Sequence, residues 1–235
     1  MVHIHTMDAG ASHHIDRVAH RRRTAYLAFK RAFDIICSIG LLTALAFPMA
    51  VVVVLAAIDT KGNPFFVQAR VGRHGRHFKL YKFRSMRADA PADVPTYMLE
   101  NAGSYITKIG ARLRKLSLDE LPQLINILKG DMSFIGPRPV VPSETELVVL
   151  RARNRVDDIR PGLTGWAQVN GRDDVTLEEK AILDTEYVAQ MGLWMDARIF
   201  VRTVIQVLRH KGVTEGANPQ IAQSLQSARV KRTAS

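Results

Sequence analysis

The longest apolar run of the chain covers residues 35–58, IICSIGLLTALAFPMAVVVVLAAI, and contains no charged side chain. As a straight helix these 24 residues would extend about 36 Å, more than the roughly 30 Å hydrocarbon core of a bilayer. A cleavable signal peptide is not expected, because 34 residues precede the run and such peptides have an apolar part of about 7 to 15 residues. The run predicts a membrane segment, with a buried helix of a soluble protein as the alternative.

Basic residues flank this run on both sides, within residues 17–31 before it and 61–87 after it. Because positively charged flanks stay on the cytoplasmic side, a spanning helix should have an asymmetry that this run lacks. Pro48 lies inside the run, where it removes one helical hydrogen bond and divides the run into arms too short to cross a bilayer alone. We expect a re-entrant helix-break-helix whose two ends lie on one side of the membrane, and a kinked spanning helix is the alternative.

The rest of the chain has the patterns of a small mixed domain. The segments FFVQAR and HFKLYKF, joined by the glycine-containing VGRHGR, predict a β-hairpin. Residues 177–191 and 196–210 have helical periodicity. In the second helix one face is apolar and the other basic; the apolar face comprises Ile199, Phe200, Val204, Ile205 and Leu208, and the basic face Arg198, Arg202 and Arg209. The expected fold class is α+β, mostly helical, with a small β-hairpin or sheet and one re-entrant membrane helix-break-helix.

The charge balance indicates an anionic partner. The chain has 33 Lys+Arg against 22 Asp+Glu, a net charge of +11, and a pI near 10.1. Nucleic acid, phosphorylated small molecules and an anionic lipid surface all fit this charge, so it does not choose among them. The chain has no G-x-x-x-x-G-K-[ST] loop and no G-x-G-x-x-G, which excludes ordinary P-loop and dinucleotide-binding sites. It also has no D-x-D of the kind that holds a metal in many glycosyltransferases.

An acidic pair, Asp119 and Glu120 in LSLDELPQL, interrupts this basic sequence. A structural interpretation is a capping box formed by Ser117 and Glu120. Pro122 argues against that register because its missing N–H and its ring oppose an interior helical position, so a helix start at Pro122 is the better expectation. In either register the two carboxylates lie near the positive end of a helix dipole, which favours their ionised form and the binding of phosphate or metal.

Several basic residues lie close to the pair in sequence: Lys108, Arg112, Arg114, Lys115, Lys129 and Arg138. Individually, such charges are typical of a surface that binds anionic lipid head groups. Combined with two adjacent carboxylates they suggest phosphoryl chemistry. Guanidinium groups clamp phosphate oxygens, one carboxylate holds Mg²⁺ and another attacks phosphorus.

Five sequence runs together resemble the small monotopic phosphoglycosyl transferases, the bacterial sugar transferases that initiate exopolysaccharide and other glycoconjugate assembly. The runs are KRAFDI, GNPFFVQARVG, FKLYKFRSM, LRKLSLDELPQLINILKGDMSFIGPRPV and RPGLTGWAQVNGR. They extend from residue 30 to about residue 210, and their order and length make the resemblance highly specific. We expect the short type of this family, without the additional N-terminal helices of larger relatives.

The resemblance implies a two-step exchange, in which a UDP-sugar gives its sugar 1-phosphate to the enzyme and a polyprenyl (undecaprenyl) phosphate then collects it. Asp119 would be the nucleophile that releases UMP, and Glu120 would bind Mg²⁺. The expected substrate contacts are Arg114 on phosphate, Arg138 on the nucleotide side, Lys82 and Arg84. A non-enzymatic, membrane-anchored basic protein that binds anionic lipid or nucleic acid is the alternative, although nucleic acid is not expected as a partner.

The expected organisation has four parts: a mobile N-terminal tail (1–24), a re-entrant membrane hairpin (25–59), a cytosolic catalytic domain (60–212) with an irregular loop at 88–107, and a polar C-terminal tail (213–235). The resemblance implies the inner membrane of a bacterium, with the catalytic domain on the cytoplasmic face. One position departs from the family. Phe47 and Pro48 stand where Ser-Pro is frequent, so Thr43, about one turn earlier, is the expected substitute for the missing hydroxyl.

Overall fold

The computed structural model describes residues 9–91, 99, 102–171 and 176–209, with side chains from residue 23 onward. Two helices, α1 (Ala9–Ala44) and α2 (Ala46–Thr60), precede a hairpin of β1 (Phe65–Val71) and β2 (His77–Phe83). They are followed by α3 (Ala102–Tyr105), α4 (Lys108–Lys115), α5 (Gln123–Lys129), β3 (Ser133–Ile135), α6 (Thr145–Arg153), β4 (Gly162–Thr164), α7 (Trp166–Asn170), α8 (Leu177–Gln190) and α9 (Leu193–Leu208). The predicted fold class, α+β and mostly helical, is confirmed.

The predicted hairpin is present, with β1 and β2 antiparallel from Phe65 opposite Phe83 to Val71 opposite His77. Its connection contains Gly75 in the left-handed region, at φ 69°, which glycine adopts without steric cost. A second sheet, the parallel pair β3 and β4, was not predicted. Its strands have three residues each, too few for a periodicity of two to be visible.

The predicted break of the membrane segment lies at Leu45, where α1 and α2 meet at an angle of 66°. Pro48 is the third residue of α2, so its ring opposes the carbonyl of Ala44 one turn earlier and ends α1 there. Thr43 does not take the expected role, because its hydroxyl donates to the carbonyl of Ile39 at 2.9 Å. That bond is of the kind that bends a helix within its own last turn.

Both ends of the bent pair are fixed to the same domain. On α1, Arg31 donates to the carbonyls of Ile127 and Leu128 at 2.6 and 2.8 Å. At the far end of α2, the carboxylate of Asp59 accepts from the N–H of Ile109 at 3.1 Å. No single helix in the described part of the chain is long and apolar enough to cross a membrane, whereas the bent pair passes that test together.

Helix α1 begins earlier than expected, at Ala9, so residues 9–24 of the predicted tail are helical. The reason lies in composition, because this stretch contains neither glycine nor proline after Gly10 and is rich in alanine and arginine, which favour helix. Residues 1–8, the predicted tail at 213–235, and residues 92–98, 100 and 101 of the predicted loop at 88–107 lie outside the described residues. Within the described part of that loop, residues 102–105 form the short helix α3.

The core that positions the functional residues lies between β2 and α5. Leu80, Leu124, Ile127 and Met132 form one buried cluster. Asn126, which is fully buried, joins the two elements with both ends of its amide: it donates to the carbonyl of Lys79 at 2.7 Å and accepts from the N–H of Tyr81 at 3.0 Å. This register places the end of β2 beside the turn that precedes α5.

Helix α9 has an apolar face that the rest of the domain does not cover. Of the predicted apolar residues, Ile199 is buried, whereas Phe200 and Leu208 are 60% and 71% exposed. On the basic side, Arg198 and Arg202 lie over the ring of Trp166, at 5.0 and 4.9 Å from its centroid. The predicted amphipathic helix is therefore present, with most of its apolar face open to the surroundings.

Candidate active site

The acidic pair lies in a short 3-10 turn, Leu118–Glu120, immediately before α5. Ser117 is in the left-handed region at φ 55° and its side chain makes no capping hydrogen bond, so the capping box is absent. Pro122 is the N-cap of α5, and the helix begins at Gln123. The predicted start at Pro122 is thus correct within one residue, and the pair precedes the helix instead of belonging to it.

Glu120 is held between two cations. Its Oε1 accepts from Lys82 Nζ and from Arg138 Nη2, both at 2.9 Å. Burial alone would raise the pKa of Glu120, but the charges of Arg138 and Lys82 and their hydrogen bonds outweigh it and hold that pKa well below its usual range. Glu120 is therefore ionised across the physiological pH range.

Asp119 is more deeply placed, with 8% of its surface exposed. Burial raises the pKa of its carboxyl, the charge of Lys82 opposes that shift, and the neighbouring charge of Glu120 adds to it. Arg114 and Arg138 also favour the ionised form. The two carboxyls thus have opposite shifts, because the cations contact Glu120 directly and leave Asp119 in a drier position.

All six residues expected from the sequence line one cavity of about 1360 Å³: Lys82, Arg84, Arg114, Asp119, Glu120 and Arg138. Arg114 reaches it from the last turn of α4, and Arg84 follows the end of β2, where its N–H donates to the carbonyl of Pro64 at 2.7 Å. Four positive side chains therefore line the same cavity as the carboxylate pair. Such a site suits a substrate with two adjacent phosphates.

The same cavity is also lined by apolar side chains of α1 and α9, among them Phe29, Phe33, Leu41 and Phe200. Three of these, Phe29, Phe33 and Phe200, are more than half exposed. The cavity lining therefore combines positive side chains, which suit a phosphate group, with apolar side chains, which suit a hydrocarbon chain.

The carboxylate pair also fits Mg²⁺, on the chemistry of its donors. Mg²⁺ binds through one or two carboxylates together with substrate phosphates, and both bonds from Lys82 and Arg138 use the same oxygen of Glu120. No group of three or more His, Cys, Asp or Glu side chains that could hold a metal occurs among residues 23–91, 99, 102–171 and 176–209. A metal ion here would thus depend on phosphate oxygens of the substrate for several of its ligands.

Sequence reasoning missed the residues that hold the loop carrying Arg138. Arg151 donates to the carbonyl of Arg138 at 2.7 Å and is itself paired with Asp184. Arg70 donates to the carbonyl of Pro139 at 3.0 Å. These residues come from three distant segments and form no local motif, so only the fold brings them together.

Comparison with known proteins bears on this site directly. Residues 25–210 match the profile of the bacterial sugar transferase family. The chain belongs to this family. The match covers α1 from residue 25 onward, α2, the hairpin and each residue of the candidate site, and the predicted assignment to a transferase of this family is confirmed.

The relatives of this transferase differ in length. It is 39% identical over 191 residues to an uncharacterized sugar transferase, EpsL, of Bacillus subtilis, covering 80% of this chain and 92% of that protein. It is 38% identical over 190 residues to an undecaprenyl-phosphate glucose phosphotransferase of Komagataeibacter xylinus, covering 74% and 35%. With an undecaprenyl-phosphate galactose phosphotransferase of Salmonella typhimurium it shares 39% identity over 203 residues, covering 78% and 41%. The transferase therefore spans well under half the length of the two phosphotransferases.

Proposed function

We propose that this transferase moves a sugar 1-phosphate from a UDP-sugar to a membrane polyprenyl phosphate, through a covalent intermediate on Asp119. The observation that carries this proposal is the buried Asp119 in a cavity lined both by the positive side chains Lys82, Arg84, Arg114 and Arg138 and by apolar side chains of α1. Two relatives, the undecaprenyl-phosphate glucose and galactose phosphotransferases, support the acceptor by the activity in their names. A third relative, of Erwinia amylovora, is named a UDP-galactose-lipid carrier transferase, which supports the donor.

The first step is a displacement at phosphorus. A carboxylate oxygen of Asp119 forms a bond to the phosphorus that carries the sugar, and the bond from that phosphorus to the bridging oxygen breaks. UMP leaves with the electron pair. Arg114, Arg138 and Lys82 neutralise the phosphate oxygens during this exchange, which needs positioning and charge neutralisation more than covalent assistance.

The second step uses the lipid. A phosphate oxygen of the polyprenyl phosphate attacks the same phosphorus, the aspartyl–phosphorus bond breaks, and Asp119 recovers its carboxylate. The product is a polyprenyl diphosphate sugar. Glu120, with Asp119 beside it, would hold Mg²⁺, which supplies additional positive charge on the phosphates when bound.

The proposed location is the inner membrane of a bacterium, with the catalytic domain on the cytoplasmic face. A bent pair whose two ends, Arg31 and Asp59, both contact the same domain supports a re-entrant segment. A spanning segment would place its ends about 30 Å apart on opposite sides of the hydrocarbon core. The exposed apolar residues near the break, such as Ile36 at 70% and Phe47 at 79%, would then lie in one leaflet.

The test of this proposal is UMP release by the full chain in detergent, with UDP-glucose or UDP-galactose, undecaprenyl phosphate and Mg²⁺. We expect release from one of these donors, and a labelled sugar phosphate that stays on the protein when the acceptor is omitted. Asp119→Asn should abolish both, because the amide keeps the shape of the side chain and loses the nucleophile. Removing a nucleophile usually lowers the rate by far more than tenfold. If Asp119→Asn retained more than about a tenth of the wild-type rate, Asp119 would therefore be excluded as the nucleophile.

The alternative, a non-enzymatic membrane anchor that binds anionic lipid or nucleic acid, explains the net charge of +11 but not the family assignment. Its signature would be nucleic-acid binding that falls steeply with salt. Such binding without UMP release from either donor would favour it over the transferase activity.

A further inference from the structure

The loop that carries Arg138 is fixed through its carbonyl groups. Its sequence, Gly136-Pro137-Arg138-Pro139, has two prolines, which lack the N–H groups that usually anchor a loop. At its base, Gly136 lies so close to β4 that an added Cβ would be 2.6 Å from the carbonyl oxygen of Arg160. Beyond that point, the carbonyl of Pro137 accepts from the N–H of Gly162 and the carbonyl of Val140 accepts from the N–H of Val71, both at 2.9 Å. Between these two backbone bonds, the carbonyls of Arg138 and Pro139 are held by side chains.

Two arginines bind these carbonyls. Arg151, on α6, donates through Nη1 to the carbonyl of Arg138 at 2.7 Å. Arg70, on β1, donates through Nη1 to the carbonyl of Pro139 at 3.0 Å. Consecutive carbonyls are thus held from two different elements, so the backbone at Arg138 has little freedom to rotate.

Arg151 is itself fixed by a buried carboxylate. Its Nε and Nη2 donate to Oδ2 of Asp184, on α8, at 2.9 and 2.5 Å. Asp184 is 1% exposed and Arg151 9% exposed. The planar guanidinium makes a two-pronged contact with the carboxylate on one side while its third nitrogen reaches the carbonyl of Arg138, an arrangement that an ammonium group cannot reproduce.

Stability alone does not account for this pair. Burying two charges costs about as much as their attraction returns, and apolar residues of the same volume are often at least as stable. The second oxygen of Asp184 adds to that cost, because Oδ1 is buried and has no hydrogen-bond partner within the described part of the chain. A costly pair beside the site is therefore best explained by what Arg151 holds.

We propose that Arg151, clamped by Asp184, is a positioning residue that sets the backbone of Arg138 so that its guanidinium reaches Glu120 and the substrate phosphates. The side chain of Arg138 is 45% exposed and its Nη2 contacts Glu120 at 2.9 Å. Because the guanidinium lies at the end of a long side chain, its position depends on where the Cα of Arg138 is fixed. The expected effect on UMP release rests on the proposed function, whereas the expected effect on the backbone of the loop does not.

The structural arm of the test is amide hydrogen exchange of the full chain in detergent, comparing wild type with Arg151→Lys. Exchange should rise in the peptide that covers residues 136–144 and remain at the wild-type level in the peptide that covers α5. A control variant, Arg73→Lys, removes a guanidinium–carbonyl bond of the same kind to Asp158, at 2.8 Å on the exposed surface, and should leave residues 136–144 unchanged. Unchanged exchange in that loop for Arg151→Lys would overturn the inference, whether or not the chain acts on a UDP-sugar.

The kinetic arm is a double-mutant cycle on UMP release from the donor that the wild type accepts. Arg151→Lys should lower kcat/KM by about tenfold or more, since small displacements of a positioning group have effects of that size. In an Arg138→Ala background the same change should have almost no further effect, because Arg151 acts through Arg138. Effects that multiply would mean a general structural role and would overturn the inference, whereas a wild type without UMP release would overturn the proposed function instead.

Discussion

Lys30 of α1 and Asp196 of α9 form an ion pair that joins the first and last described helices across 166 residues of sequence. Both side chains are largely buried, at 13% and 14% exposure. The hydroxyls of Tyr26 and Tyr187 donate to the same carboxylate, at 2.7 and 2.8 Å. Asp196 is therefore the acceptor at which the membrane segment, α8 and α9 meet.

Replacement of Asp196 by alanine should detach these elements from one another. The change leaves Lys30 buried without its partner and takes the acceptor from two tyrosine hydroxyls, so the free energy of unfolding should fall by about 3 to 5 kcal/mol. Urea-induced unfolding in detergent micelles measures this loss. As a control, Arg155→Ala removes a pair whose arginine is 81% exposed and should cost at most about 1 kcal/mol. Equal losses in the two variants would contradict the role of Asp196.

A second prediction concerns Glu120 and magnesium. Glu120→Gln should lower UMP release and raise the Mg²⁺ concentration needed for half-maximal rate, because the amide lacks the charge that a hard cation requires. Titration of Mg²⁺ after removal of bound metal with a chelator gives that concentration. Lys82→Gln is the matched control, since it removes a cation bonded to the same oxygen and keeps the carboxylate. The control should not raise the magnesium requirement, and an unchanged requirement in Glu120→Gln would exclude Glu120 as a ligand.

Arg114 provides a third prediction. It lies in the last turn of α4 and lines the cavity, where a planar fork of donors can bind two phosphate oxygens. Arg114→Lys keeps the charge and loses that fork, so kcat/KM for the UDP-sugar should fall by about tenfold, the effect of one lost charged hydrogen bond. Arg112→Lys makes the same change two residues earlier, at an exposed position on the opposite face of α4 that does not line the cavity, and should have nearly wild-type activity. Similar kcat/KM values for both variants would mean that Arg114 is an ordinary surface charge and does not bind the substrate.

The fourth prediction follows from the titration of Asp184. Burial raises the pKa of this carboxyl, against the opposing charge of Arg151. As pH rises, the Asp184 carboxyl of the unfolded chain loses its proton near the ordinary pKa of about 3.9. In the folded chain the same carboxyl stays protonated to a higher pH. The contribution of Asp184 to the free energy of unfolding therefore falls with rising pH until the pH passes the raised pKa. The difference in unfolding free energy between wild type and Asp184→Asn should therefore change with pH in this window. A difference that stays constant with pH would show that Asp184 does not titrate there.

The sequence predicted the parts of the site that lie close together along the chain. Asp119 and Glu120 stand in one short segment, and the proline after them predicts the start of α5. The hairpin was predictable because alternating residues and a glycine-containing connection act locally. In each of these cases the interacting residues are neighbours in the sequence, so the local sequence pattern is enough to predict their structure.

The residues that the sequence did not reveal interact over long separations. Arg151 and Asp184 are 33 positions apart and come from two helices whose packing no local pattern specifies. The exact residue at which the membrane helix bends could not be predicted either. Pro48 predicted a break, but the chain bends at Leu45 because the proline ring acts on the preceding turn. The exposure of Phe200 and Leu208 likewise depends on which face of α9 meets Trp166 and not on the periodicity alone.

The topology of the bent pair gives the last prediction. In a Cys37→Ser background, which removes the single cysteine of the chain, single cysteines are placed at Ser12 and at Ala152, an exposed position of α6. If the segment is re-entrant, both should resist a membrane-impermeant thiol reagent in right-side-out vesicles and both should react in inside-out vesicles. Reaction at position 12 but not at position 152 in right-side-out vesicles would mean that the segment spans the membrane.

The same assay separates the two physical causes that could hold this topology. Pro48→Ala restores one helical hydrogen bond and removes a clash, a gain of about 3 kcal/mol for a straight helix. Against it stand the bonds that attach α1 to the domain: two from Arg31 to α5, those from Ser133 and Phe134 to the buried Asp34, and those from Lys30 and Tyr26 to Asp196. Each contributes about 1.5 to 3 kcal/mol where a charged group takes part. Pro48→Ala alone should therefore keep both reporters on one side, whereas Pro48→Ala combined with Arg31→Met, Asp34→Ala and Asp196→Ala should label position 12 in right-side-out vesicles. Labelling with Pro48→Ala alone would show instead that the proline, and not the attachment of α1 to the domain, turns the chain back.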